Sequence, residues 1–512
     1  MSFYSRHPKE VQLIAGFALI KLCIHLLSNS HFGFHRDELL YMAMSEHLDW
    51  GYMEVPPFIA GVSWFSYTVL GDSVFAMRIL PSIASALIVF LTGLLVLAMN
   101  GRTFSIIVAC LAMVISPSFL ASGYLLQPVV FDQLFWVLSA YFMVKHLQTR
   151  KTNYIYLLGV SIGLGMLTKY TMALFIVALI GGLLISPQRK VLLNRAWLIA
   201  SAIAFIIFLP NLIWQISHGL PVISHMNELK ASQLNYIDPL SSFTQLFITH
   251  ASASVIWLSG LIYLFYSKSN RRYIFIAYAF ILVVIFLLAF NGKVYYSFGA
   301  FPMLFAAGGI CLQKVMGSIA SPLRYGAVGL ILAPSLLLIP IVVPILSFGS
   351  TLRFFEFTTS KGLDFPVKWE DQRTHETTQD YADMLGWEEI AKHASTAYQM
   401  IPREERSKTT LITDNYGQAG AIMHYRNKYE LPDPVSLSSS FALWSPDSIQ
   451  TRHIIMIDDD IIDIAKAFGS HQQIGQVKDP YAREKGTGIY LLSGPLTDVN
   501  RFYQNERRKE LN

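Results

Sequence analysis

A chain of 512 residues in which 53% are hydrophobic and only 14% charged falls far below the roughly one-quarter charged fraction of soluble domains, which makes it an integral membrane protein. Its net charge of +5 is dispersed over short connectors instead of forming a stripe, so it speaks for topology and against nucleic-acid binding. Cys23, Cys110 and Cys311 all lie inside apolar runs, which excludes a disulfide framework or a CxxC metal site in any aqueous part.

The short basic opening MSFYSRHPKE leads into an apolar run from Val11 to Ser28, close to the ~20 residues that one crossing needs. It lacks a small-residue cleavage site, so an anchor is expected in place of a signal peptide. Lys21 and His25, four apart, form a polar face expected to turn to the bundle interior. The next stretch, HFGFHRDELLYMAMSEHLDWGYMEVPPF from His31 to Phe58, carries Arg36, Asp37, Glu38, Glu46, Asp49 and Glu54. Carboxylates are expensive in hydrocarbon, so this segment belongs at the membrane surface or in a polar cavity. Leu39, Leu40, Met42, Ala43, Met44 and Leu48 recur at helical spacing and predict a short helix lying along the interface. Gly51 and Pro56-Pro57 break it.

Apolar runs follow near 78–99, 104–120, 129–147, 154–168, 171–186, 196–214, 246–266, 273–290, 299–315 and 325–346, giving about eleven spans with the first. Alternate connectors hold Arg102; Lys145, Arg150 and Lys151; Arg189, Lys190 and Arg195; Lys268, Arg271 and Arg272; and Lys314 with Arg324. The positive-inside rule makes these and the N-terminus cytoplasmic. The opposite connectors hold Asp37 and Glu38, the YLLQPVVFD segment ending at Asp132, Thr168-Lys169-Tyr170, the loop 215–245, and Asn291 to Tyr296. Such one-sidedness argues for a single outward-facing site. Gly159, Gly163 and Gly165 lie inside a span with no strand before them, which suits helix packing and not a nucleotide loop.

From about residue 350 the composition turns mixed and polar, and an odd number of spans puts this part outside as well. Helical patterns at Trp387–Met400, Gln418–Tyr425 and Ile461–Phe468 alternate with strand-like runs at Thr410–Thr413, Ile454–Ile457 and Gly488–Leu492, the pattern of a small α/β domain. Asp458, Asp459 and Asp460 suit an acidic helix start better than a cation site. The expected division is a polytopic α-helical membrane domain at 1–349, with a catalytic first outer loop at 30–77, and an extracytoplasmic α/β domain at 350–512.

No cytoplasmic connector is large enough for a nucleotide-binding domain, and none carries GxxxxGK[ST] or a GxGxxG after a strand. Carboxylates and cations at an outward lip suit transfer of a group from a lipid phosphate. A carboxylate accepts the proton of an incoming hydroxyl, and Arg78, Lys169 or Lys293 stabilises the departing phosphate. A polytopic transporter of a lipid or sugar is the main rival, although the internal repeats common in transporters are not evident. A non-catalytic binding protein would leave the clustering of Asp37, Asp132 and Lys293 on one side unexplained.

An ordered set of residues carries a resemblance: Arg36-Asp37-Glu38 with Tyr41, then GYMEVPP containing Glu54, Met77-Arg78 with Pro81, Asp132, the TKYT of residues 168–171, and Lys293-Val-Tyr-Tyr. It resembles the bacterial branch of glycosyltransferase family 39, which includes protein O-mannosyltransferases and the lipid A aminoarabinose transferase. YGQAGAIMHY at 416–425 resembles the outer domain of bacterial members. The resemblance implies a C-type glycosyltransferase fold, a polyprenyl-phosphate-linked sugar as donor, a lipid, glycan or protein acceptor, and residence in the bacterial inner membrane among its lipids, with the site and C-terminal domain on the periplasmic side. It makes Asp37 the catalytic aspartate with Glu38 beside it. Arg78, Lys169, Lys293, Tyr295 and Tyr296 go to the donor phosphate, and Tyr41, Glu54 and Asp132 to substrate binding. The aminoarabinose branch has Glu-Lys-Pro-Pro where this chain has Glu54-Val55-Pro56-Pro57, and valine cannot contact a phosphate.

Plainer uses exist for the same residues. Glu38 serves equally as a helix cap or a partner of Arg36, and Arg78 and Lys169 as snorkelling cations at helix ends. His31 and His35 lack a firm third ligand beside Asp37, so no metal or other cofactor is assigned.

Overall fold

The computed structural model describes residues 7–511; most of the basic opening, Met1 to Arg6, lies outside them. Among the described residues five helices are long and apolar enough to cross a membrane: Pro8–Ser28, Val74–Ala98, Ala196–Ser217, Arg271–Ala289 and Val294–Val315. Pro239–Ile248 and Ala251–Tyr266 form a pair bent by 93°, and Phe58–Leu70, Thr103–Ile115, Asn153–Thr168 and Thr171–Ile185 are shorter apolar helices. Pro128–Thr149 is equally long but buries Asp132, Gln133, Lys145 and His146, which lowers its apolar character. The chain forms a multi-pass membrane protein with a small C-terminal sheet domain. It divides into two compact units: the chain up to Asn29 with Val55–Ile59 and Arg78–Ile345, and Ser30–Glu54 with Ala60–Met77 and the chain from Leu346 on.

In the first unit the helices meet through small residues, since lipid supplies no hydrophobic drive between them and close van der Waals contact must do the work. A Cβ on Gly159 would stand 2.5 Å from the Ala200 carbonyl oxygen, so Asn153–Thr168 lies directly on Ala196–Ser217. Lys21 and His25 are both buried, Lys21 Nζ donating to the Val114 carbonyl at 3.2 Å and His25 Nε2 lying 3.1 Å from Ser85 Oγ. The stretch 215–245, expected as a loop, contains the helices Pro221–Ser232 and Pro239–Ile248. Each opens with proline in its first turn, where no N–H is needed.

The second unit holds a five-stranded sheet of β1 (Thr409–Thr413), β2 (Pro434–Val435), β3 (His453–Asp458), β4 (Phe468–Gln476) and β5 (Gly488–Pro495), in the order β2-β1-β3-β5-β4. β1 runs parallel to β2 and β3, and β5 runs antiparallel to β3 and β4. Val435, Ile454, Met456, Leu492 and Tyr503 build its core. The helix expected at Ile461–Phe468 is only Ile462–Ala465, and Phe468 instead begins β4. That edge strand exposes Gly469 to Gln473, so it lacks the apolar run by which the other strands are recognised. Asp460 Oδ1 accepts from the Ile462 N–H at 2.8 Å, the helix-start use of the acidic run.

The Arg36–Glu46 helix corrects the interfacial expectation. Residues Glu38 to Ser45 are all buried, which leaves no apolar face open to lipid. It packs on Tyr416–Tyr429, where a Cβ on Gly420 would stand 2.8 Å from Leu39 Cβ. It ends at Glu46, ahead of the Gly51 and Pro56-Pro57 breakers.

Candidate active site residues

In the second unit the Arg36–Glu46 helix opens with a capping box. His35 Nδ1 accepts from the Asp37 N–H at 3.2 Å, and Glu38 Oε2 accepts from the His35 N–H at 2.9 Å. The box satisfies donors that the first helical turn leaves without partners. It also fixes Asp37, whose side chain is 30% exposed, in the first turn. Asp37 Oδ1 accepts from the Tyr416 hydroxyl at 2.9 Å, and Oδ2 lies 4.0 Å from His35 Nδ1. The Arg36 guanidinium sits 4.5 Å from the centroid of the Tyr416 ring. Asp383, buried close by, pairs with Arg483 at 3.1 Å and has His35 Nε2 at 3.8 Å.

Charge and burial compete in this cluster. Burial pushes the Asp383 carboxyl above the usual range, against the pull of His35, Arg483 and Arg36. Burial alone would lower Arg36, but the neighbouring carboxylates Asp383, Asp37 and Glu484 act against it, and the guanidinium stays above its ordinary value. Burial, with the nearby Asp37 carboxylate, pushes the Tyr416 phenol up, so it remains a protonated donor.

Three other predicted residues sit in this unit with defined surroundings. Glu54 Oε1 accepts from the Ser440 N–H and Oε2 from the Ser440 hydroxyl, both at 2.6 Å. Tyr41 is buried within its helix. His35 Nδ1 is engaged as the cap acceptor of the Asp37 N–H at 3.2 Å. Among the described residues no group of three or more His, Cys, Asp and Glu is arranged to hold a metal.

In the first unit the structure brings Asp132, Lys169, Tyr295 and Tyr296 together. Asp132 is buried near the start of Pro128–Thr149; Oδ1 accepts from Trp136 Nε1 at 2.9 Å and Oδ2 from the Thr171 hydroxyl at 2.7 Å. Lys169 caps the C-terminus of Asn153–Thr168 in an extended conformation. Its Nζ lies 4.5 Å from the Tyr295 ring centroid and 5.0 Å from that of Tyr296. These rings meet edge to face, 4.7 Å apart at 77°. An ammonium set over two π faces is attracted by both quadrupoles. Lys169 is also near enough for its charge to act on Asp132. Lys293 precedes the turn Val294–Ala300 and is half-buried.

Arg78 is fully buried, which does not fit a side chain snorkelling to headgroups. Its Nη1 donates to the Asn29 carbonyl at 3.3 Å and its guanidinium lies 5.7 Å from the Tyr124 ring centroid. Asn29 Nδ2 donates in return to the Arg78 carbonyl at 3.2 Å and to Ser82 Oγ at 3.0 Å.

Sequence reasoning passed over Tyr416, Asp383 and Arg483 around Asp37, and Trp136 and Thr171 around Asp132. YGQAGAIMHY and TKYT drew attention to two of these segments, but neither Tyr416 nor Thr171 is given a role by spacing alone.

Residues 54–214 match the family described as dolichyl-phosphate-mannose-protein mannosyltransferase. The lipid A galacturonosyltransferase RgtD of Rhizobium johnstonii is 28% identical over 229 residues, 42% of this chain and 45% of that protein; the match thus spans about half the relative's length. Two crystal structures of ArnT from Cupriavidus metallidurans, one bound to undecaprenyl phosphate and one in the apo state, both align at a TM-score of 0.58. Identity is 12% and 13%, with 96% and 95% of this chain and 100% and 99% of theirs covered. At this identity the likeness shows a fold, shared along nearly the whole chain. The matched membrane segment and the curated relative make this chain similar to membrane glycosyltransferases of the dolichyl-phosphate-mannose-protein mannosyltransferase type, on a fold it shares with ArnT.

Proposed function

We propose that the protein moves a sugar from a polyprenyl-phosphate carrier to a lipid acceptor at the periplasmic face of a bacterial inner membrane. The observation that carries this reading is Asp37, a partly exposed carboxylate on a capped first turn with one oxygen held 2.9 Å from a phenol. The relative named for lipid A and the ArnT structure named for undecaprenyl phosphate support this acceptor and donor class.

An acceptor oxygen attacks the anomeric carbon as the bond from that carbon to the phosphate oxygen breaks, and the bonding pair leaves with the phosphate. Lys169, Arg78 and Lys293 offset the charge gained there. Asp37 takes the proton when the acceptor is a hydroxyl. Attack opposite the leaving group inverts the centre, since no second carboxylate is assigned as a nucleophile. An acceptor phosphate is already ionised and needs no base, so Asp37 would then orient substrates. Val55, at the place of the aminoarabinose branch's lysine, favours the hydroxyl.

The test uses purified protein in lipid nanodiscs with polyprenyl-phosphate sugars, nucleotide sugars and lipid A, products being read by mass spectrometry. Transfer from the lipid-linked donor, with inverted configuration by NMR, is expected. Transfer from the nucleotide sugar alone, or retained configuration, overturns the reading.

A further inference from the structure

We infer that Tyr416, on the C-terminal domain, is a positioning residue that orients the Asp37 carboxylate; this rests on the proposed role of Asp37. Tyr416 lies 379 residues from Asp37 in sequence, yet its hydroxyl donates to Asp37 Oδ1 at 2.9 Å.

The contact is built from both sides. Asn415 Oδ1 caps the Tyr416–Tyr429 helix, accepting from the Gly417 and Gln418 N–H groups at 3.0 and 3.1 Å. Gly417 has no side chain where a Cβ would stand 2.8 Å from the Trp387 ring and 3.3 Å from Arg36 Cβ. Together with Gly420 against Leu39, this lets the two helices approach closely enough for a tyrosine to span them. The Arg36 guanidinium carbon lies over the ring, 4.5 Å from its centroid.

The terminal torsion of an aspartate is broad and roughly two-fold. A hydrogen bond from a neutral phenol to the carboxylate is charge-assisted and directional. It fixes the plane of the group and so the direction of the lone pairs that receive a proton. An orientation set before reaction need not be found during it. The burial that keeps Tyr416 protonated keeps the donor in place.

Tyr416→Phe retains the ring and the Arg36 stacking and deletes only the O–H. Turnover is expected to fall about tenfold, the loss of roughly one charge-assisted bond, with donor KM and Tm near wild type. In the infrared spectrum, the carboxylate band that Asp37→Asn removes should shift in Tyr416→Phe. Replacing Tyr416 by 3-fluorotyrosine, a stronger donor of the same shape, should shift that band the opposite way and keeps the test open should Tyr416→Phe fail to fold. Wild-type turnover with an unmoved band overturns the inference. A moved band with wild-type turnover upholds the contact as orienting Asp37 and overturns instead the reading of Asp37 as the reacting carboxylate.

Discussion

Asp132 in the membrane unit and Asp37 in the second unit both stand near the start of a helix, and they are held in opposite ways. Asp132 is 6% exposed and each of its oxygens takes a side-chain donor, Trp136 on one and Thr171 on the other. Asp37 is 30% exposed and accepts from the Tyr416 hydroxyl on Oδ1. A buried carboxylate satisfied on both oxygens is suited to bracing the groups around it, here within electrostatic reach of Lys169. A carboxylate that must meet a substrate and take up its proton needs exposure along with orientation. The charge pattern puts both acids on the same outward side, and their surroundings in the structure differ.

The largest effect expected is that of Asp37→Asn. The variant keeps shape and one acceptor oxygen but cannot take a proton, so turnover should fall at least about 100-fold if the acceptor is a hydroxyl, with donor affinity retained. Single-turnover assays check it, and near-wild-type turnover would remove Asp37 from proton transfer.

Lys169→Met follows. Tyr295 and Tyr296, assigned from the sequence alongside Lys293, lie in the structure against Lys169. Methionine keeps packing on the rings and loses the charge, so donor binding should weaken roughly 10- to 100-fold, the range for a lost charged hydrogen bond. Lys293→Ala should cost less than this. Calorimetry with a polyprenyl phosphate measures both, and the reverse order would return the phosphate to Lys293.

Asp132→Asn sharpens the contrast further. Asparagine keeps one carbonyl oxygen, and the Thr171 hydroxyl can rotate to accept from the new amide, so geometry survives while the charge is lost. A severalfold rise in donor KM, with turnover at about half of wild type or better, is the outcome that fits a bracing carboxylate beside Lys169. A loss of turnover equal to that in Asp37→Asn would erase the distinction between the two carboxylates.

Much of this arrangement was legible before any coordinates. Apolar runs marked where helices form, among them the five long and apolar enough to cross a membrane, and β1, β3 and β5 announced themselves by buried runs such as Ile454–Ile457. β4 did not, since an edge strand with polar exposed side chains has no apolar run to find. The Arg36–Glu46 helix was found but its setting was misjudged: helical spacing shows where side chains recur and not what covers them, and here the Tyr416–Tyr429 helix covers one side. The same limit hid Tyr416 and Asp383. Their importance comes from tertiary contacts that no local pattern encodes, whereas Asp37 itself stood out as a carboxylate next to a membrane span.

Glu38→Gln should have the smallest effect, and its smallness is informative. Glu38 is adjacent to Asp37 in the sequence and was grouped with it as catalytic, but in the structure its Oε2 accepts from the His35 N–H at 2.9 Å as the N3 member of a capping box. Glutamine closes the same box with its carbonyl oxygen. Stability should therefore be nearly unchanged in Glu38→Gln. Glu38→Ala, which opens the box, should lose about 1 kcal/mol of stability. Turnover in Glu38→Gln should stay within about threefold of wild type, since the cap that positions Asp37 is intact and a loss smaller than about 0.7 kcal/mol is below that of one hydrogen bond. Thermal unfolding and turnover of both variants, measured in the same nanodisc preparation as Asp37→Asn, decide the matter. A loss in Glu38→Gln as deep as that in Asp37→Asn, without loss of stability, would mean that the charge of Glu38 reaches the reaction and that the two adjacent carboxylates act as a pair.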